Sequence, residues 1–549
     1  MNFRAFLIAL ATVVLILLGA AAGSFYWIIS QSPLNLLQGG VMAEPTAAMF
    51  VPRQAPVMVS LLVNPDRLEA LGELAATPRA RRQAHGEFTQ IKESLLANTG
   101  LDYRRDIQPW LGDEITLAVT SLDFDRNQLN GIQPGYLLAA TAQNPDLARE
   151  FLQLSYSKQA LAGTSDLVFE QYKGVNIIYK RPLTTGPNSN LEASAVVGDV
   201  VLFANAPKVL RDAINNVQAK DLSLKNAPAY QEALTTIREP RIGIVYANLP
   251  ALSSWVVNAP APENPEAEQL LAIALQLQPQ GLAAQTALIG IAGDEEPALS
   301  NPVAALQYVP ANSVLTAAGT DLNQLWNQVD ELDPQSPLRQ LIAGAIASIE
   351  APLGLDLPQD IFSWVRGEYA LALLSPPETN RLDWVFVAET SAADAEPAIE
   401  SLDRLAKAQG LSVGILPVAD TQITAWTQLT TSGSDRLRLD AEVAGVHTSV
   451  AGYEVFATSV DTLAEAVAQT APLATSKTFQ QAIAPLPTPN SGTFYLNWSQ
   501  GQPIFEQQPL VGAVELAGKP LFEHLRSLGL SSLGSENGVR RAAVFFNLD

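Results

Sequence analysis

Two stretches of this chain carry acids at matching places. Residues 100–114 read GLDYRRDIQPWLGDE and residues 354–368 read GLDLPQDIFSWVRGE. Asp102, Asp106 and Glu114 in the first stand where Asp356, Asp360 and Glu368 stand in the second. Carboxylates of this kind do hydrolytic acid–base work when two of them converge in a cleft, one held protonated and one ionised. The local pattern favours a plainer task. Asp102 and Asp356 precede helical starts, where a carboxylate accepts from unpaired N–H groups. Asp106 and Asp360 fall in the first turn, where the helix dipole favours negative charge. Ile107 with Trp110, and Ile361 with Trp364, share the i, i+3 spacing of one helical face. Each stretch therefore predicts a capped helix that anchors a tryptophan in a core. Glu114 and Glu368 sit where helix gives way to strand.

Other residues make no stronger case. His85, His447 and His524 are the three histidines, and none stands at metal-ligand spacing from another. His447, in the strand-like run GVHTSV, reads as a packed or rim residue. The string LDFDRNQLNG places Asp123, Asp125 and Asn127 at the alternating positions that open a calcium loop. Gln128 takes the place of the required glycine and Pro134 that of the bidentate glutamate, so it reads as a polar hairpin loop. Zinc-protease, phosphate-loop and dinucleotide patterns are missing from the sequence. So is cysteine, which excludes disulfides, thiol catalysis and iron–sulfur clusters. The expectation is a chain that is not an enzyme, with no catalytic residue, cofactor or metal.

These residues must be positioned by something large. At 549 residues the chain exceeds one compact core. Its net charge of −22 repels phosphates, so nucleic acid is not an expected partner. From Phe6 to Ile29 no charge occurs. As a helix that run would extend roughly 36 Å, enough to cross a hydrocarbon core about 30 Å thick. Arg4 precedes it, and the next basic residue is Arg53. The positive-inside rule then puts the N-terminus in the cytoplasm and the bulk beyond the membrane. Residues 1–30 are accordingly expected to form a transmembrane anchor, with a signal peptide as the alternative. Residues 31–44 read as a tether.

The opening match is one of several in the same order. Val51-Pro52 answers Val309-Pro310, and YLLAATAQ from Tyr136 answers WVFVAET from Trp384. VVGDVVLFANAPKVLRDAI answers VAGYEVFATSVDTLAEAV. RIGIVYANL, with Gly243, Tyr246 and Asn248, answers SGTFYLNWS, with Gly492, Tyr495 and Asn497. The expectation is two tandem homologous domains, residues 45–297 and 302–549, joined by a linker at 298–301. Strands come in adjacent pairs, which predicts antiparallel pairing, and helices between them must pack on the sheet. The fold class is therefore α+β. Tyr172–Lys180 reads as one strand, followed by a hairpin turning at Gly198-Asp199. The apolar run Leu270, Leu271, Ala274, Leu275 and Leu277 reads as a short helix closing a core.

The VP start, the GLD…W…GDE motif, the YLLAA strand and the VVGDVVLFA hairpin, behind one N-terminal span, resemble a family of cyanobacterial membrane-anchored proteins. That family is known only as a domain of unknown function. The resemblance covers almost the whole chain and implies no catalytic residue. It implies a cyanobacterial source, a plasma or thylakoid membrane, and a soluble part in the periplasm or lumen. The expected function is a membrane-anchored scaffold or binding protein, serving envelope or photosynthetic membrane maintenance, with a protein or lipid partner. Two alternatives stand beside it: a carrier of an apolar ligand or lipid, and a carboxylate-dependent hydrolase.

Overall fold

The computed structural model describes residues 40–68, 102–127, 131–161, 165–182, 193–257, 269–278, 280–290, 299–330, 356–374, 383–391, 393–418, 421–432, 438–505, 522, 524–536 and 538–548. The expected anchor and most of the tether, residues 1–39, lie outside these. Among the described residues, no helix is long and apolar enough to cross a membrane.

The first half runs β1 (Val57–Leu61), β2 (Leu111–Ser121), β3 (Gly135–Ala142), α1 (Pro145–Leu161), β4 (Ser165–Tyr172), β5 (Val175–Pro182), β6 (Ala193–Val197) and β7 (Val200–Ala204). It continues with α2 (Pro207–Gln218), α3 (Pro228–Thr236), β8 (Gly243–Asn248), α4 (Leu249–Val257), β9 (Leu270–Gln278) and β10 (Gly281–Ile289). The second half runs β11 (Ser313–Thr320), α5 (Leu322–Asp330), β12 (Glu368–Leu374), β13 (Asp383–Glu389), α6 (Ala395–Ala408), β14 (Ser412–Val418), β15 (Thr421–Ser432), β16 (Arg438–Val450) and β17 (Tyr453–Ala457). It closes with α7 (Val460–Ala468), α8 (Lys477–Ile483), β18 (Gly492–Asn497), α9 (Trp498–Phe505), β19 (Leu525–Glu536) and β20 (Val539–Leu548).

All pairings are antiparallel, and they join the strands into one 20-stranded sheet. Across the first half the spatial order is β4-β5-β6-β7-β3-β2-β1-β8-β9-β10. Across the second it is β14-β15-β16-β17-β13-β12-β11-β18-β19-β20. The halves meet where β10 pairs β20 over nine residues, from Gly281↔Asn547 to Ile289↔Val539. Gly281 and Val539 each begin the outgoing arm of a hairpin. The seam therefore has the register of an isologous contact, in which position i meets j and j meets i.

Helices cover the sheet on both faces. In the first half α2 and α3 pack with Leu137, Ala139, Leu202 and Ala204. The intervening residues Ala140, Val201 and Phe203 pack with α1. In the second half α7 and α8 lie with Val385, Val455 and Ala457, and α6 lies with Phe386, Ala388 and Phe456. Side chains alternate across a strand, so these are opposite faces. Burial on both faces explains why runs such as VVLFA carry no polar alternation.

Two expectations need correction. Leu270–Gln278 is strand β9, not a helix. A short apolar run that is buried on both sides has no periodicity to separate helix from strand, and neighbours β8 and β10 decide it. Tyr172–Lys180 is not one strand: Tyr172 ends β4, and Lys173-Gly174 turns the chain into β5. Both turn residues have positive φ, 50° and 81°, as a tight hairpin demands. Four strands, not the expected two, thus stand between α1 and α2.

Gly281 is tied to the seam by space. A Cβ built there would meet the Phe546 carbonyl oxygen at 1.8 Å. Gly281→Ala is expected to destabilise the protein by about 3 kcal/mol, since the obstacle is backbone and cannot turn aside. Urea unfolding checks this, and a loss well under about 1 kcal/mol would mean the seam adapts freely.

Candidate functional site

The matched acids come first. In place of the expected helix each stretch forms a single π-helical turn, Tyr103–Ile107 and Pro358–Phe362, with Trp110 and Trp364 just beyond its end. Asp102 accepts from the Arg105 N–H at 2.8 Å, and Asp356 from the Gln359 N–H at 3.1 Å. Asp106 reaches back to accept from the Asp102 N–H, and Asp360 from the Asp356 N–H, both at 2.8 Å. The Arg105 side chain and that backbone N–H hold the Asp106 carboxyl down at about 2. The indoles of Trp110 and Trp364 donate to the carbonyls of Asp106 and Asp360. Both tryptophans are buried.

Glu114 and Glu368 also turn to backbone. Glu114 is buried and accepts from the N–H groups of Thr46 and Ala47, at 2.7 and 2.8 Å, and from the Thr116 hydroxyl. Those two N–H groups open the 3-10 turn Thr46–Met49, just ahead of Val51-Pro52. Glu368 accepts from the Ala305 N–H at the matching turn Ala304–Tyr308, and from the Tyr453 hydroxyl at 2.8 Å. Burial and the Glu368 carboxylate raise the Tyr453 pKa. The glutamates thus cap the turns that carry the VP motifs, each within its own half.

Of the remaining sequence candidates, His85 lies outside the described residues. Asp123 and Asp125 occupy the β2–β3 loop, where Asp125 accepts from the Asn127 N–H. Gln128 lies outside the described residues. His524 stands just before β19, far in sequence from any other candidate. No group of metal-binding side chains occurs among the described residues.

What the sequence did not reveal is the contrast between α1 and α6 at the two ends of the sheet. An open cleft of about 700 Å³ lies between α1 and strands β4 to β6. Leu152 and Gln153 line it from α1, Phe169 and Glu170 from β4, Ile178 from β5 and Ser194 from β6. The Glu170 carboxylate itself turns to the opposite face, where Nε and Nη2 of Arg211 on α2 donate to it at 2.9 Å and lower its pKa. Ser194 is fully buried and its hydroxyl has no hydrogen-bond partner. Phe169 is 70% exposed on β4, whose outer edge pairs with no strand among the described residues.

The register locates the counterpart in the second half. Phe169 faces Ile178, which faces Ser194. Ile415 faces Thr424, which faces His447. Ile415 on the opposite edge strand β14 is 69% exposed, matching Phe169. His447 takes the place of Ser194, and there the layer is filled. Its ring stacks on Phe456 at 5.3 Å and lies 5.4 Å from Trp426. Nδ1 is 2.5 Å from Glu454 Oε1, and Nε2 is 3.2 Å from Asp403 Oδ1 on α6. Trp426 Nε1 donates to the same Asp403 oxygen at 2.7 Å, and the Ser449 hydroxyl donates to Glu454. Burial alone would lower the imidazole pKa, but the Glu454 and Asp403 carboxylates outweigh it and raise it. Gly445 sits against the Trp426 ring, where a Cβ would come within 3.0 Å. His447 is packed, as its strand context predicts. Its acids come from a helix 44 residues upstream and a strand beyond a turn, and no spacing rule joins them.

Fold and site define a class: an antiparallel-sheet protein with helices on both faces and an open cleft beside one edge strand. The model of a family described as a protein of unknown function (DUF3352) matches residues 10–548, and the chain belongs to that family. No curated protein matches it. Among solved structures, crystal form III of TP0453 aligns at 12% identity over 45% of this chain and 80% of that one, with a TM-score of 0.23. A likeness that slight bears on neither fold nor function.

Proposed function

We propose that this chain is a non-catalytic binding protein, held to a membrane by its N-terminal apolar segment, whose cleft receives an extended segment of a partner protein. The body would lie on the extracytoplasmic side, as the charge around the span predicts, serving upkeep of the envelope or photosynthetic membrane. We further infer that the body arose by duplication of one unit. The matched motifs and the same order of ten strands in each half support this.

The observation that carries the binding reading is the cleft beside the β4 edge. An edge strand offers unpaired N–H and C=O groups to an incoming strand, and a neighbouring cleft selects its side chains. Its serine lacks a hydrogen-bonding base, so it offers shape and hydrogen bonds rather than an activated nucleophile. An acyl chain suits it less well, because the cleft is open and Arg149, Gln153 and Asn176 line it beside the apolar side chains.

A photo-crosslinking amino acid placed at Phe169 in the full-length chain, in its native membranes, tests the proposal. A discrete protein adduct is expected there and not at Leu222, which is 50% exposed on a turn away from the cleft. Equal labelling at both positions, or no adduct at 169, would remove the cleft as the docking site.

A further inference from the structure

Both ring nitrogens of His447 meet carboxylates, Glu454 on one side and Asp403 on the other. An ionised carboxylate only accepts, so both contacts are hydrogen bonds only when the ring is the doubly protonated imidazolium. A neutral ring donates from one nitrogen and turns a lone pair toward the other acid. Glu454 stands on β17 and Asp403 on α6, so the charged ring ties helix to sheet. The first half has no such tie: Ser194 and Val201 occupy the positions of His447 and Glu454 in the hairpin register, and the cleft lies open under α1.

We propose that protonated His447 is a latch holding α6 on the sheet, and that its deprotonation frees the Asp403 end and opens beneath α6 a counterpart of the first-half cleft. Glu454 keeps the remaining ring proton, because it is closer, 2% exposed at its side chain and braced by Ser449. Asp403, 26% exposed, is the partner that can turn to water. Among the described residues, the titratable groups bonded to the ring are Asp403 from α6 and Glu454 from β17. β15 presents the Trp426 indole, which remains bonded to Asp403. The latch does not depend on what the first-half cleft binds.

Hydrogen exchange of the α6 amides in the full-length chain tests it, between about pH 6 and about pH 9.5, a range that brackets a raised imidazole pKa. After correction for the intrinsic pH dependence of exchange, α6 is expected to speed up about tenfold relative to α7, the effect of losing one charge-assisted hydrogen bond. In H447Q, whose side chain does not titrate, the corrected α6 rate is expected to be fast and flat with pH. D403N gives a second arm should H447Q fold poorly, and it too is expected to be fast and flat. A wild-type α6 rate that stays level, or a rise that survives in either variant, would overturn the latch.

Discussion

Trp110→Ala is expected to destabilise the protein by about 3–5 kcal/mol, and Trp364→Ala by a similar amount. Both indoles are buried, and each bonds the carbonyl of the acid four residues earlier. Trp110 stacks on Phe151 at 5.8 Å, in a core with Leu152, Tyr156 and Val201. Trp364 shares its core with Val365, Phe386, Leu402 and Phe456. Truncation removes the largest side chain between sheet and helix and leaves a void that the sheet, fixed on both sides, cannot collapse. Asp106→Ala or Asp360→Ala loses a cap and is expected to cost about 1 kcal/mol. Denaturant unfolding followed by circular dichroism checks the series. If either tryptophan costs no more than its neighbouring aspartate, the motif is not a core anchor and a role at a site must be reconsidered.

That motif was legible because everything it does is local. Cap, first-turn acid and buried indole lie within nine residues, and spacing alone assigns them. The destinations of Glu114 and Glu368 were not legible. Their partners, the turns at Thr46 and Ala304, lie more than 60 residues earlier, and only the pairing of β1 with β2 and of β11 with β12 brings them together. Turn signals located the reversals at Gly198-Asp199 and in the polar loop after Asp123, but not the one at Lys173-Gly174, where an uninterrupted run of β-formers on both sides hid it. Strand β9 was missed for a related reason: all its side chains are apolar or small up to Gln276, so neither period shows. The cleft was the least legible feature. It depends on a serine and a valine standing where the other half has a histidine and a glutamate, and small residues leave no mark in a sequence.

That exchange of residues also sets the second large effect. Glu454→Val, which installs the residue found at Val201, is expected to cost about 3–5 kcal/mol, because it leaves His447 buried with one acid removed. The double variant His447→Ser/Glu454→Val removes the charge along with its partner. It should be less destabilised than Glu454→Val alone, with about 1–3 kcal/mol of coupling between the sites. The pH dependence follows from the direction of the His447 shift. A pKa raised in the folded state means the folded protein holds a proton that the unfolded chain gives up. The stabilisation is therefore whole below the ordinary imidazole value of about 6.5 and is lost as pH rises through the folded value. Wild-type stability should fall across that window, while the double variant should lack this component. Urea midpoints measured at matched pH decide it. If wild type and double variant decline in parallel, the His447 proton contributes nothing to folding, and the two carboxylates hold α6 by some other bond.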